Sequence, residues 1–501
     1  MVANENLMDK VVALAKRRGF IFPSSEIYGG LANTYDYGPL GVELKNNIKN
    51  LWWNRFVHRR DDIVGIDAAL IMNPKVWEAS GHLREFSDPL VECKNCHNRY
   101  RLEDLLEVEV AGNLKKFLKS AEKTKFARRG IDWEEYITRK LKEIKCPTCG
   151  LISWTLPKRF NLMFKTFIGP LDPIESFSDT FYATTIGDEK YRHSKEKKVI
   201  EAINEATAAT VYLRPETAQA MFVDFKNILD TTRIGLPFGV AQIGKAFRNE
   251  ITPSNSIFRT REFEIMEIEY FINPEDWERY FEKWRKEINS WLKDIGVDLR
   301  RVHEVDIPEG ERAHYSKRTI DFEYDYPFGQ KELYGLAYRT DFDLRNHEKF
   351  SGQDLKYKDP ETGKEFWPHV IEPALGVDRT LLVVLLEAYS EEEDRVVLKL
   401  SPKLAPYKVA VFPLLANKPK LVNLAREIYN DLRRHYMVAW DDRGNIGKRY
   451  YSQDEIGTPY CITVDFESLE DKSVTVRDRD SMEQERVKIE KLVDYLREKL
   501  N

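Results

Sequence analysis

The sequence predicts a mixed α/β chain with more than one domain, and three observations predict it. Past residue 406, short apolar strands alternate with amphipathic helices, the pattern of a compact α/β unit of about a hundred residues. Between Ala241 and Phe271, two apolar-rich segments flank a polar loop, the pattern of a long hairpin. Two Cys-x-x-Cys pairs bracket a basic stretch and mark an inserted module. A length of 501 residues leaves room for all three.

Composition narrows the class. Lys and Arg total 78 and Asp and Glu 83, a net charge of −5. That excludes a histone-like basic coat, so contact with nucleic acid must come from local patches. With 42% hydrophobic and 12% aromatic residues, the chain is globular. Five cysteines are few and odd in number, which argues against a disulfide-stapled secreted protein. The N-terminus lacks the apolar core and cleavage site of a secretory signal. The longest apolar run, Leu381 to Leu386, is far too short to span a membrane. The expectation is a cytoplasmic protein with no membrane partner.

The elements follow in order. Leu7 to Lys16 reads as a helix ended by Gly19, and Tyr28 to Gly41 reads as turns. Glu43 to Phe56 places Leu44, Ile48, Leu51, Trp52 and Phe56 at helical spacing, a packing face. Lys115 to Lys145 holds 11 basic and 5 acidic residues, a local +6. Asn273-Pro274 opens a helix with Trp277, Phe281, Trp284, Ile288 and Trp291 on one stripe; Asn caps well and Pro suits a first turn. Residues 401–406, SPKLAP, read as a linker. After it come a strand in KVAVFPL, a helix over Leu421 to Tyr436, and strands in MVAWDDR, CITVDF and SVTVRDR.

Two constellations carry chemistry. Cys93-Lys-Asn-Cys96 and Cys146-Pro-Thr-Cys149 lie 49 residues apart, and each turn aims two sulfurs at one ion. Four thiolates leave no open position, so a structural zinc is expected; four reduced cysteines or a disulfide are the alternative. His97 is a minor rival ligand, and Cys461 sits alone in an apolar strand. In the hairpin, Arg248, Arg259 and Arg261 face no equal number of local acids, and an arginine fork suits a phosphate. A salt-bridged sheet face is the alternative.

At these residues the chain resembles a known family. The hairpin is similar to motif 2 of the class II aminoacyl-tRNA synthetases, with Arg248 at its arginine. GVDR, Gly376 to Arg379, followed by TLLVVLLEAY, resembles motif 3, and Pro39 resembles the motif 1 proline. The blocks EIYGGLANTYDYGPLG, MNPKVWEASGH, LRPETAQ, GLAYRTDFDL, FSGQDL and DDRGNIGKRYYSQDEIGTPYCITVDF together resemble glycyl-tRNA synthetase of the single-chain, homodimeric type. The resemblance spans nearly the whole chain and is weakest near 114–145 and 166–204. There is no P-loop lysine motif and no class I signature pair.

The resemblance implies an antiparallel catalytic sheet flanked by helices in 1–90 and 151–400. It also implies an inserted zinc-ribbon-like module in 91–150 and an anticodon-binding α/β domain in 406–501. It implies a ligase that joins glycine to tRNA through a glycyl-adenylate, consuming ATP with magnesium, as a homodimer. Diadenosine tetraphosphate synthesis is a possible side activity. Arg248, Arg379 and Glu250 carry the chemistry: Arg248 on the α-phosphate and glycine carboxylate, Glu250 on the adenine amino group, Arg379 on the adenine or γ-phosphate. ATP is implied to contact Asn249, Phe258, Arg259, Thr260, Arg261, Glu262, Phe263, Leu333, Gly376, Val377 and Asp378 as well, with Phe263 against the adenine. Glu332 is the magnesium candidate.

The glycine ammonium is implied to sit among Glu216, Glu267 and Glu372, oriented by Arg214; three converging acids repel unless a cation is bound. Arg101, Phe263, Glu264, Ile265, Met266, Pro373, Ala374, Leu375 and Gly376 complete the glycine site. Ala374 departs from the family, which often has serine there. In the C-terminal unit, Lys418 to Tyr451 holds 8 basic and 4 acidic residues. Tyr450 and Tyr451, beside Lys448 and Arg449, are implied to stack on anticodon bases. The rivals are another class IIa ligase and an inactive nucleic-acid-binding paralogue. The three acids argue against the first, and the intact arginines against the second.

Overall fold

The structure, a computed structural model, describes residues 2–107, 139–169, 207–250 and 255–500. Most of the basic stretch from 114 to 145, and the stretch from 170 to 206, lie outside it.

The central sheet is built from seven strands: β1 (Ile63–Gly65), β2 (Phe238–Phe247), β3 (Glu262–Ile272), β4 (Val302–Asp306), β5 (Arg318–Tyr326), β6 (Gly329–Thr340) and β7 (His369–Gly376). Their order is β4-β5-β6-β7-β3-β2-β1. Every pairing is antiparallel except β1 with β2. Side chains alternate across a strand, so each face collects every second residue. On β3, Met266, Ile268 and Tyr270 face a large apolar core, while Phe263, Ile265 and Glu267 face a cavity.

Helix Pro39–Trp53 packs under that core, with Leu44, Ile48 and Trp52 fully buried. Asn273 caps as its sequence suggests, accepting from the Glu275 amide at 3.2 Å, but it opens a short 3-10 turn; the α-helix proper is Trp277–Asp294. Its stripe is buried as core, and Phe56 packs between Trp284 and Trp291 at 5.8 and 6.1 Å.

The inserted module is wider than 91–150. Its three-stranded sheet, ordered 99–101, 87–92, 158–161, begins at Ser87 and closes at Asn161. The C-terminal unit is a five-stranded mixed sheet of β8 (Val409–Pro413), β9 (Val438–Trp440), β10 (Tyr460–Val464), β11 (Ser473–Asp478) and β12 (Gln484–Lys488) in the order β9-β8-β10-β11-β12. The helix after β8 runs Pro419–Leu432. The SPKLAP stretch is not an exposed tether: Leu404 and Ala405 are buried in the central core, and Asn47 Nδ2 donates to both their carbonyls at 3.1 Å. A buried ionic cluster secures the same junction. Asp454 accepts from Arg395 at 2.7 Å and from Arg477 at 2.9 and 3.0 Å, while Arg479 donates to the Leu400 and Gly457 carbonyls.

Candidate active site

The open face of the sheet holds a cavity of about 530 Å³. Strands β3, β6 and β7 form its floor, the polar loop 255–261 one wall and the start of helix Val377–Ala388 another. The antiparallel register sets Glu267 beside Ala374 and Ala374 beside Gly335, a row of small residues next to an acid.

At the closed end lie Glu216, Glu267 and Glu372, all nearly buried. Glu216 accepts from Gln219 Nε2 at 3.0 Å and lies 3.2 Å from His82 Nε2. Burial alone would raise its carboxyl, but His82 and then Arg339 outweigh that and hold it well below the usual carboxylate range. Thr217 Oγ1 donates to Glu267, and Arg339 Nη1 donates to Glu372. Burial, with the charges of Glu372 and Glu216, pushes Glu267 up to about 8. Burial and the neighbouring Glu216 push Glu372 up to about 7 against the pull of Arg339. A fourth acid, Glu269, is fully buried, and neither of its oxygens has a hydrogen-bond partner among the described residues. Its carboxyl is driven well above the ordinary value by burial and then by Glu372. Carboxylate oxygens of Glu267, Glu269 and Glu372 come within 4.8 Å of one another. This pocket has more buried acids than fixed cations and is suited to a buried cation, which would favour their ionised forms.

Arg339 is the fixed countercharge. It is 1% exposed, forks onto Asp343 at 2.8 and 2.9 Å, and lies 3.7 Å from the Tyr315 ring centroid. Its partners are far from it in sequence except Asp343, whose i,i+4 spacing is the one local signal. Arg339, His82 and Gln219 lie within the blocks that carry the family resemblance and Glu269 lies in the hairpin, but the sequence does not single them out.

The open end is cationic. The Arg248 guanidinium lies between the rings of Phe263 and Phe86, 5.2 and 5.4 Å from their centroids, and Nε donates to the Pro215 carbonyl at 3.2 Å. Phe263, implied to lie against adenine, thus carries Arg248 on one face. Arg379 covers Phe258 at 4.6 Å and pairs with Glu332 at 3.1 Å. Arg379 holds the Glu332 carboxyl below its ordinary value, with Arg248 and Arg259 adding to the effect. Glu332 stands at the exposed rim, and its Oε1 has no hydrogen bond among the described residues, which fits a metal ligand from one oxygen. Phe258, Arg259, Thr260, Leu333 and Gly376 also line the cavity.

Several implied contacts differ. Arg101 pairs with Glu250 at 2.8 Å and not with the acid end. Arg214 does not orient Glu216; its guanidinium donates to the Lys245 and Ala68 carbonyls at 2.7 and 2.9 Å. Glu262 points outward to an exposed pair with Lys245, because it lies on the opposite strand face from Phe263. Met266 and Leu375 belong to the apolar core by the same alternation, Val377 joins it as the first residue of its helix, and Pro373 is buried opposite Leu336. Arg261 Nε is bound to the Glu250 carbonyl, and Asn249 is not at the cavity wall. Asp378 and Glu264 do border the cavity but are tied up: Asp378 accepts from Tyr37, from Lys45 at 2.9 Å and from the Glu264 amide at 2.7 Å, while Glu264 pairs with Lys45 and Lys49. Both therefore position the hairpin against helix Pro39–Trp53. In the C-terminal unit, Arg449 is 2% exposed and donates to four backbone carbonyls, and Tyr450 bonds Thr463. Lys448 and Tyr451 remain on the surface.

The four cysteines meet in one cluster. Cys93 and Cys149 sulfurs are 3.6 Å apart, as are those of Cys96 and Cys146, and no disulfide joins them. A tetrahedron of zinc–sulfur bonds has sulfur–sulfur edges of about 3.8 Å, so the set fits zinc. In each turn, the residue after the second cysteine takes positive φ, 58° at His97 and 73° at Gly150. His97 points away to Glu92 and is not a ligand.

Comparison with known proteins agrees with the cavity. The tRNA synthetase class II core domain (G, H, P, S and T) matches residues 200–389, and an anticodon binding domain matches 408–499. A glycine–tRNA ligase of Alkaliphilus oremlandii is 48% identical over 100% of both chains. Those of Caldanaerobacter subterraneus (47%, covering 98% of each chain) and Geobacillus thermodenitrificans (48%, covering 98% of this chain and 97% of that one) are similar throughout.

Proposed function

The chain belongs to the glycine–tRNA ligase family, and from that premise we propose that it joins glycine to its tRNA in two steps within the cavity between Glu267 and Arg379. The observation that carries this reading is the pairing of a buried acidic end with an arginine-lined mouth in a single cavity.

Glycine sits with its ammonium among Glu216, Glu267 and Glu372. A methyl group at that end would displace water from carboxylates without replacing its hydrogen bonds. A glycine carboxylate oxygen attacks the α-phosphorus of ATP, the bond to the β-phosphate oxygen breaks, and pyrophosphate leaves. Arg248 neutralises the charge that builds on the α-phosphate, while Arg379 and Arg259 draw the departing pyrophosphate. The terminal ribose hydroxyl of tRNA then attacks the adenylate carbonyl, and AMP leaves with its phosphate. No side chain serves as nucleophile; placement and charge do the catalysis.

ATP and magnesium are general to class II synthetases. Magnesium held by Glu332 would supply further charge neutralisation at the phosphates. Cys93, Cys96, Cys146 and Cys149 would hold a structural zinc. The catalytic unit comprises 1–86 and 162–400, with the metal module between them and an anticodon-reading unit at 406–501, where Lys448 and Tyr451 offer a cation and an exposed ring. No helix among the described residues is long and apolar enough to cross a membrane; we place the enzyme in the cytoplasm. Exposed Ile27, Tyr28 and Leu31, with exposed Val42 on helix Pro39–Trp53, support a homodimer through that surface. A second ATP attacking the adenylate would give diadenosine tetraphosphate as a side product.

Charging of a glycine tRNA transcript with labelled glycine tests the reading. One AMP and one pyrophosphate per glycyl-tRNA is expected. Protein that binds the transcript and charges nothing would be an inactive paralogue.

A further inference from the structure

The short strand Arg99–Arg101 connects the cysteine cluster to the nucleotide end of the cavity. Successive side chains of a strand point to opposite faces. Tyr100 faces the metal centre: its hydroxyl lies 3.5 Å from Cys146 Sγ and 2.6 Å from Thr148 Oγ1, and its ring meets Trp154 edge-on at 5.6 Å. Arg101 faces the cavity, where Nη2 donates to Glu250 Oε2 at 2.8 Å. Strand Ser87–Glu92 fixes the register, pairing Leu90 with Arg101 and Val91 with Tyr100, and runs directly into Cys93. The Cys93 amide donates to the Asn98 carbonyl at 2.9 Å, so the first cysteine turn closes immediately before this strand. Glu250 is anchored to the hairpin by its own backbone: its amide donates to Arg248 and its carbonyl accepts from Arg261.

We propose that Arg101 is a positioning residue for adenine recognition, and that the four-cysteine metal centre fixes where Arg101 stands. The proposal rests on reading Glu250 as the acceptor of the adenine 6-amino group. A glutamate held at one oxygen by a charge-assisted bond keeps the other aimed; released, it spreads over several rotamers. Oε1 has no hydrogen bond among the described residues, and Glu250 lines the cavity. Without metal, nothing holds the four sulfurs at one point, the turn at Cys93 relaxes, and Tyr100 and Arg101 move with it. The zinc module thereby becomes part of the ATP site without touching ATP.

The test uses the full chain, purified with zinc, and compares wild type, Arg101→Ala, Arg101→Lys and Glu250→Ala, each with melting checked. Zinc is counted by dye release after thiol oxidation. Calorimetry without glycine measures the affinity for ATP and for purine riboside triphosphate, which lacks the 6-amino group. Wild type should hold one zinc and prefer ATP. Arg101→Ala should keep the zinc, lose about tenfold in ATP affinity and leave the analogue unchanged; Arg101→Lys should fall between. Zinc-stripped wild type should show the same loss of preference, and stripping Arg101→Ala should add nothing. If Arg101→Ala retains the preference while Glu250→Ala loses it, the positioning claim is overturned. Equal loss of ATP and analogue affinity in Arg101→Ala, or losses that multiply on stripping, would also overturn it. If Glu250→Ala keeps the preference, the adenine reading of Glu250 fails first and the proposal falls with it.

Discussion

Glycine affinity should depend steeply on pH, and Glu267 should be the main reason. Burial first, and then neighbouring acids, push Glu267 up to about 8 and Glu372 up to about 7. The ammonium needs both ionised, so protons compete with glycine. A carboxyl one unit above the working pH costs about 1.4 kcal/mol to ionise, a tenfold penalty. Between pH 6.5 and 8.5 both protons leave, and the dissociation constant for glycine should fall by about a hundredfold. Glu267→Gln removes one of the two protons and also one of the three charges. Affinity at pH 8.5 should drop, and the pH dependence should shrink to about one proton. Calorimetry with glycine alone, in buffers of different ionisation enthalpy, counts the protons released. A dissociation constant flat across this range, or a slope unchanged in Glu267→Gln, would show that the glycine ammonium does not sit against Glu267.

Three further outcomes follow. Glu269, buried and without hydrogen-bond partners, has a folded pKa well above its unfolded one, so its contribution to stability is full below the unfolded value and lost as pH rises toward the folded value; Glu269→Gln should gain on wild type in urea melts at pH 8 relative to pH 5, and equal changes at both would contradict it. Gly335 has open space where a Cβ would go, so Gly335→Ala should fold normally yet raise the KM for glycine by about tenfold by occupying the cavity floor; an unchanged KM would move glycine away from that row. Arg339→Ala leaves Asp343 and Glu372 without their buried partner and should cost about 3–5 kcal/mol in denaturant melts, where a loss under about 1 kcal/mol would show the pair to be hydrated.

What the sequence reveals depends on the range of the interaction. The hairpin, the cysteine turns and the tryptophan stripe of Trp277–Asp294 are local patterns, and each stands where its spacing places it. The three acids Glu216, Glu267 and Glu372 carry no local signal of convergence; family resemblance brings them together on paper, and strand register does so in space. Arg339 and His82 are missed because their partners are remote in sequence. Arg214 and Arg449 look functional because an arginine beside an acid or a tyrosine suggests a ligand, yet both are spent on backbone carbonyls that sequence does not display. The alternation of β3 is readable beforehand and would have separated Glu262 and Met266 from Phe263 and Glu267. The extra width of the metal module is not readable, since its third strand, Lys158–Asn161, begins 57 residues after Arg101, the end of the second, without a spacing rule.

The proposed role of the buried acid cage beside Arg248 is to select glycine for adenylation. Pyrophosphate exchange into ATP, run without tRNA and comparing glycine with alanine, serine and proline, tests it most directly. Exchange with glycine alone is the predicted result, with Ala374 in place of serine having no effect on selectivity. Exchange with none of the four, in protein that still binds tRNA, would contradict the account, and exchange with alanine as well would show that the cage alone does not select.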